Sequence, residues 1–186
     1  EGGFHMRERA RVGRAQGGVA SAHGQVHCPG RPTRSWGKKG GPDHAIGRSR
    51  GGLSTKIHAV VDQDGLPIKL LITPGQASDK TIAPQLLGAL PPGCVVADRG
   101  YDSMALVNFV RDRGGEAHIP TQSRVRIQRS VPPSLYRQRN LVERFFCKLK
   151  QFRRIATRFE KHADNFMAAL ALASSRIWMR AIESTP

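Results

Sequence analysis

The sequence predicts a single α/β domain, a mixed sheet flanked by helices, and three observations predict it. Short apolar runs bounded by turn residues alternate with longer stretches of helical period between about residue 43 and residue 182. The 186-residue length suits one domain with a sizeable core. An apolar content of 39% is adequate for a globular protein.

Charge narrows the partners before any element is placed. The formal net charge is +16 and the sequence pI is about 11.1, more than solubility requires, so attraction to DNA or RNA is expected. Cys28, Cys94 and Cys147 are widely separated and lack paired ligand spacing, which argues against a disulfide framework or a structural zinc site. No apolar run approaches the ~18 residues that span a bilayer, and no secretory h-region is present. A cytoplasmic protein acting at the nucleoid, with no membrane partner, is expected.

Taken in order, residues 1–42 form a basic Gly/Arg-rich arm with few large apolar residues and no regular period, so disorder is expected there. Arg48, Arg50 and Lys56 surround the glycines of Gly47 to His58 and can approach phosphates. Thr55–Val61 reads as a buried strand, Asp62 to Gly65 as its turn, and Ile68–Thr73 as the return strand of a hairpin. Asp62 and Asp64 have the ordinary work of turn residues. A helix is expected over Lys80–Leu90, with Asp79 as its N-cap or first-turn acid.

Cys94–Ala97 is a short apolar strand that ends in Asp98, followed by the tight turn Arg99-Gly100-Tyr101-Asp102 and a helix over Ser103–Arg113. An aspartate at the carboxyl end of such a strand sits where α/β sheets place ligands. Asp102 is expected to be a structural helix cap. Glu116–Pro120 offers one more strand, and Thr121–Arg129 a basic loop whose Arg124, Arg126 and Arg129 can track phosphates. After Pro132-Pro133, Ser134 is expected to cap an amphipathic helix carrying Leu141, Val142, Phe145, Phe146, Leu149 and Phe152. Arg153, Arg154, Arg158 and Lys161 then add charge. Asp164 is expected to cap a last helix, Asn165–Ile182, with Trp178 in the core.

The amphipathic helix has a second stripe. At roughly 100° per residue, Tyr136, Arg139, Glu143 and Lys150 share a narrow band that sets one carboxylate among a phenol and two cations. A solvated pairing of Glu143 with its two cations would explain an arbitrary glutamate. Here the spacing resembles the glutamate signature of bacterial insertion-sequence transposases of the DDE type. Asp98 to Tyr101 resembles the Asp-x-Gly-Tyr signature of the same enzymes, and Pro74 to Asp79 and Phe146 to Arg158 extend the likeness. The resemblance covers about Lys38 to Trp178.

That resemblance implies a ribonuclease-H-like sheet in which two aspartates and a glutamate hold Mg²⁺ or Mn²⁺. It makes Asp98 and Glu143 catalytic residues and metal ligands. Tyr136, Arg139 and Lys150 become DNA-contacting or supporting residues, as do Arg48, Arg50, Lys56, Asp79 and Tyr101. The implied partners are insertion-sequence ends and target DNA, with a homo-oligomer assembling on them.

One departure stands out, since no aspartate precedes Asp43. The first catalytic strand is therefore expected to be missing or disrupted, leaving a partial catalytic domain over residues 43–182. A frameshift would explain it: a permissible back-translation of Gly24 to Arg31, read one base later, encodes Asp-Arg-Ser-Ile-Val-Arg-Ala, similar to the family's text around that aspartate. No helix-turn-helix is evident before the core, which fits an N-terminally truncated or frame-shifted enzyme. Three readings follow: a transposase catalytic domain, a catalytically dead DNA-binding remnant of one, or an unrelated basic RNA-binding protein.

Overall fold

The computed structural model describes residues 19–28, 44–88 and 93–184. Six strands form one sheet. β1 (Val19–His27), β2 (Gly47–Ser49), β3 (Gly52–Val61), β4 (Pro67–Pro74), β5 (Cys94–Ala97) and β6 (Glu116–His118) run in the order β2-β3-β1-β5-β6, with β4 paired to β3. The β3 pairings with β1, β2 and β4 are antiparallel, and β5 is parallel to both β1 and β6. The helices are α1 (Asp79–Leu87), α2 (Met104–Asp112), α3 (Pro133–Tyr136), α4 (Arg139–Leu149), α5 (Arg153–Ala156) and α6 (Ala163–Glu183).

β1 corrects the expectation that the first strand is missing or disrupted. It pairs with β3 from Ala20↔Val61 to His27↔Ser54 and with β5 from Val19↔Val95 to Ser21↔Ala97. Its run of small and polar residues carries little strand signal, but a central strand has its backbone groups met from both edges, and that context overrides propensity. The remainder of the basic arm, residues 1–18 and 29–42, lies outside the described residues.

Two apolar layers cover the sheet. On one face Ile57, Ala59 and Val61 of β3 pack with Val142, Phe145, Phe146 and Leu149 of α4 and Phe166 and Leu170 of α6. On the other, Val60, Val95 and Ala97 pack with Leu86 of α1, Tyr101, and Leu106, Val107 and Val110 of α2. β3 therefore buries side chains on both faces, the pattern of an inner strand. Gly24 places no side chain against α4, and a Cβ there would stand 2.8 Å from the Phe146 ring.

Several element ends differ from expectation. Proline begins the short helix α3 at Pro133, where its missing N–H is no loss, so Ser134 lies inside α3 and does not cap α4. Asp164 lies within the first turn of α6, behind His162 at the cap position, and acts there as a first-turn acid. Asp102 is buried and structural, as expected, but caps nothing in α2. Its Oδ2 accepts from the Gln122 backbone at 2.8 Å and its Oδ1 pairs with Arg129. Trp178 sits at the core margin, 37% exposed, donating from Nε1 to the Pro67 carbonyl.

Candidate functional site

Asp98 follows β5 directly. Ser21 of β1 pairs with Ala97, so the aspartate emerges from the sheet beside the central strand. Its Oδ1 accepts a hydrogen bond from the Gly100 backbone at 2.8 Å, closing the one-turn 3-10 helix Arg99–Tyr101. Gly100 sits in a crowded turn. A Cβ there would stand 2.9 Å from Asp98 Oδ1 and 3.1 Å from Asp79 Oδ2, so two carboxylates converge on this residue.

Asp79, the first residue of α1, is held by Lys56 of β3, whose Nζ donates to Asp79 Oδ1 at 3.0 Å and to the Ala77 carbonyl at 2.8 Å. Lys56 is thus engaged inside the protein, with 15% of its side chain exposed, rather than presented to phosphate. Tyr101 is fully buried, and its hydroxyl lies 3.0 Å from His58 Nδ1. Burial, reinforced by the negative charges of Asp79 and Asp98, pushes the Tyr101 phenol far above its usual range.

Glu143 stands on the solvent-facing side of α4, while Val142, Phe145, Phe146 and Leu149 of the same helix are buried. Its Oε1 lies 2.8 Å from Arg139 Nη1, an i,i+4 pair with half the glutamate side chain exposed. The Arg139 guanidinium lies 5.5 Å from the Tyr136 ring centroid. The structure therefore brings Tyr136, Arg139 and Glu143 together. Lys150 is the exposed residue just past the helix end. α4 packs across β1, the strand next to β5. Glu143 lies one turn before Phe146, whose ring covers Gly24.

The basic residues divide into two groups. Arg48 and Arg50 are exposed and line a cleft of about 380 Å³ with Gln25, Gly75 and Gln76. Arg124 is exposed beside the Asp98 turn, in a cleft of about 410 Å³ that it shares with Arg99, Gly100, Gln122 and Ser123. Arg129 and Arg158, by contrast, serve the fold. Arg129 pairs with Asp102. Arg158 is fully buried, donating to the carbonyls of His44, Ala45, Glu160 and Lys161 and to Thr55 Oγ1, with its guanidinium 4.6 Å from the Phe166 ring centroid.

Sequence reasoning does not single out His58 or Thr73. The signal available is a histidine inside an otherwise apolar buried strand, where a polar side chain needs partners. For a divalent cation, the donors fit in kind and fall short in number. Asp98 and Glu143 offer the hard carboxylate oxygens that Mg²⁺ and Mn²⁺ prefer. No group of three or more His, Cys, Asp or Glu residues that could hold a metal gathers among the described residues. No helix among them is long and apolar enough to cross a membrane.

Residues 21–178 match the transposase DDE domain family, whose members are typically dependent on divalent metal, and the match takes in most of β1. A putative transposase for insertion sequence element IS6501 of Brucella ovis is 41% identical over 133 residues, covering 69% of this chain and all of that protein. A putative transposase for insertion sequence element IS402 of Burkholderia cepacia is 35% identical over 153 residues, covering 75% of this chain and 69% of that one. These likenesses overturn the reading of an unrelated RNA-binding protein.

Proposed function

The chain belongs to the DDE transposases of bacterial insertion sequences, and from that premise we propose that Asp98 and Glu143 are its catalytic carboxylates for DNA strand cleavage and transfer. The observation that carries the reading is architectural. Asp98 ends a strand parallel to and beside the central strand β1, and Glu143 rides the helix packed across that same strand. A mixed sheet of this order, with helices on both faces, is consistent with the ribonuclease-H-like arrangement that the family resemblance implies.

In this proposal Asp98 and Glu143 hold divalent metal, Mg²⁺ or Mn²⁺. Such ions, when bound, supply the charge that activates a water or a 3′-hydroxyl and stabilises the leaving oxygen of a phosphodiester. Arg139 and Lys150 hold the DNA backbone, and Tyr136 keeps the Arg139 guanidinium oriented by stacking beneath it. Gly100 keeps the Asp98 carboxylate close to the backbone, and Lys56 offsets the negative charge that Asp79 brings to the same turn. Arg48, Arg50 and Arg124 extend the phosphate contacts along insertion-sequence ends and target DNA, on which copies of the chain assemble.

A second observation favours a weakened enzyme. Position 24, on the face of β1 covered by α4, is glycine, and Phe146 occupies the space where a side chain would stand. The back-translated shift begins at this codon, so the carboxylate it would restore falls on the central strand, beneath the helix that carries Glu143. Two carboxylates hold a hard dication less tightly than three, so this chain binds DNA more effectively than it cuts it.

The test compares this chain with a form carrying Asp-Arg-Ser-Ile-Val-Arg-Ala in place of residues 24–30 and otherwise unchanged, using double-stranded insertion-sequence ends with Mg²⁺ or Mn²⁺. The expected result is strand cleavage by the restored form, abolished by Asp98→Ala and by Glu143→Ala, with this chain at least tenfold slower. Metal-dependent cleavage that survives both substitutions would contradict the assignment. Sequencing the coding DNA checks the frame itself.

A further inference from the structure

We propose that His58 is a positioning residue for Asp98, acting through Tyr101 from the opposite side of the central strand. The inference rests on the reading of Asp98 as a catalytic carboxylate. His58 lies on β3 and Tyr101 at the end of the turn that follows β5, and β1 runs between those strands. The His58 ring is fully buried, with Nδ1 3.0 Å from the Tyr101 hydroxyl and Nε2 2.8 Å from Thr73 Oγ1 on β4. In either neutral tautomer one ring nitrogen donates and the other accepts, so the imidazole is held from both sides.

What this brace holds is the far end of a very short turn. Between Asp98 and Tyr101 the chain is fixed by Gly100 N–H donating to Asp98 Oδ1 at 2.8 Å and Tyr101 N–H donating to the Asp98 carbonyl at 3.1 Å. Both bonds are local and would move with the turn as a unit. The Arg99 side chain faces solvent, and the turn is anchored on one side by Asp102, held by Gln122 and Arg129, and on the other by the contacts of Tyr101 with the interior, which alone reach across the sheet. The phenol stays protonated among two carboxylates and remains a hydrogen-bonding partner throughout the neutral range. A carboxylate that must meet a cation and a phosphodiester at fixed distance depends on such support.

The experiment reads Asp98 without requiring catalysis. Amide hydrogen exchange at Gly100, whose N–H is bonded to the Asp98 carboxylate, is measured by NMR in the wild-type chain and in Tyr101→Phe, His58→Leu and Thr73→Ser, with Leu170 of α6, in the opposite apolar layer, as an internal reference. Paramagnetic broadening by Mn²⁺ at Gly100 is measured in parallel. Tyr101→Phe and His58→Leu are expected to speed Gly100 exchange at least tenfold and to weaken Mn²⁺ broadening severalfold, with Leu170 unchanged. Thr73→Ser, which keeps the hydroxyl, should behave as wild type.

Tyr101→Phe removes one oxygen atom and keeps the ring, so it decides the matter if His58→Leu fails to fold. Unchanged Gly100 exchange in a folded Tyr101→Phe protein would overturn the proposal. If Mn²⁺ fails to broaden Gly100 in the wild-type chain, the catalytic reading of Asp98 is what falls, and the exchange rates still judge the brace.

Discussion

Arg158 shows how misleading a basic residue can be when read from its neighbours. It follows Arg153 and Arg154 in a run that adds positive charge, yet it is fully buried and donates to carbonyls before β2 and after its own position. The fork geometry of the guanidinium lets one side chain meet that many acceptors, which a lysine cannot do. Arg158→Ala leaves those acceptors unsatisfied and opens a cavity beside Phe166, and is expected to destabilise the fold by about 3 kcal/mol or more. Arg158→Lys should recover only part of the loss. Urea unfolding midpoints of the two variants check this, and an unaltered midpoint in Arg158→Ala would show that the buried contacts do not matter.

Tyr101 makes a pH prediction whose sign is fixed. Its folded phenol is pushed up, by burial first and then by Asp79 and Asp98, so the folded state keeps the proton when the unfolded chain has lost it. The stabilisation is complete below the unfolded phenol pKa of about 10 and is lost progressively as pH rises above it. The thiols of Cys28 and Cys94, both raised by burial, act in the same direction from a pH of about 8.5. Thermal unfolding between neutrality and pH 11 should therefore show an alkaline fall that is shallower in Tyr101→Phe. Identical slopes in the two proteins would contradict the assignment to Tyr101.

At the scale of elements, what is legible in the sequence depends on whether a segment carries its own pattern. β3, β4 and β5 announce themselves by apolar runs between turn residues, and the β3–β4 turn by Asp62, whose Oδ1 accepts from Asp64 and Leu66. The α4 face is legible from its spacing, and the Tyr136, Arg139 and Glu143 stripe forms the contacts that spacing suggests. β1 is not legible, because its strand character comes from β3 and β5 on either side. The partners of His58 and Arg158 are equally hidden, since they come from residues distant in sequence.

Gly24 offers a test of β1 as an inner strand under α4. A methyl group there meets the Phe146 ring, so Gly24→Ala should destabilise the protein by about 1–3 kcal/mol through overpacking. Combining it with Phe146→Leu should relieve part of that loss. If the two changes are additive in unfolding measurements, the helix does not lie over that position.

At the scale of the whole molecule the formal charge of +16 governs the encounter with DNA, and the fold decides which cations take part. Lys56, Arg129 and Arg158 are used internally, whereas Arg48, Arg50 and Arg124 remain exposed around the two clefts. Arg48→Ala with Arg50→Ala should weaken binding to any DNA sequence and lower the salt dependence, the log–log slope falling by roughly one for each phosphate no longer neutralised. Arg129→Ala should instead act on stability. Binding titrations across salt concentrations separate the two effects, and an unchanged slope in the double variant would remove Arg48 and Arg50 from the interface.

The most direct measurement replaces Mg²⁺ with Fe²⁺ and generates hydroxyl radicals at the metal, so that the backbone is cut wherever the ion sits. Cuts at both the Asp98 turn and the Glu143 turn of α4, each lost in Asp98→Ala and in Glu143→Ala, are the expected result. Cuts at only one of the two segments, or a pattern indifferent to both substitutions, would contradict a cation shared between strand and helix.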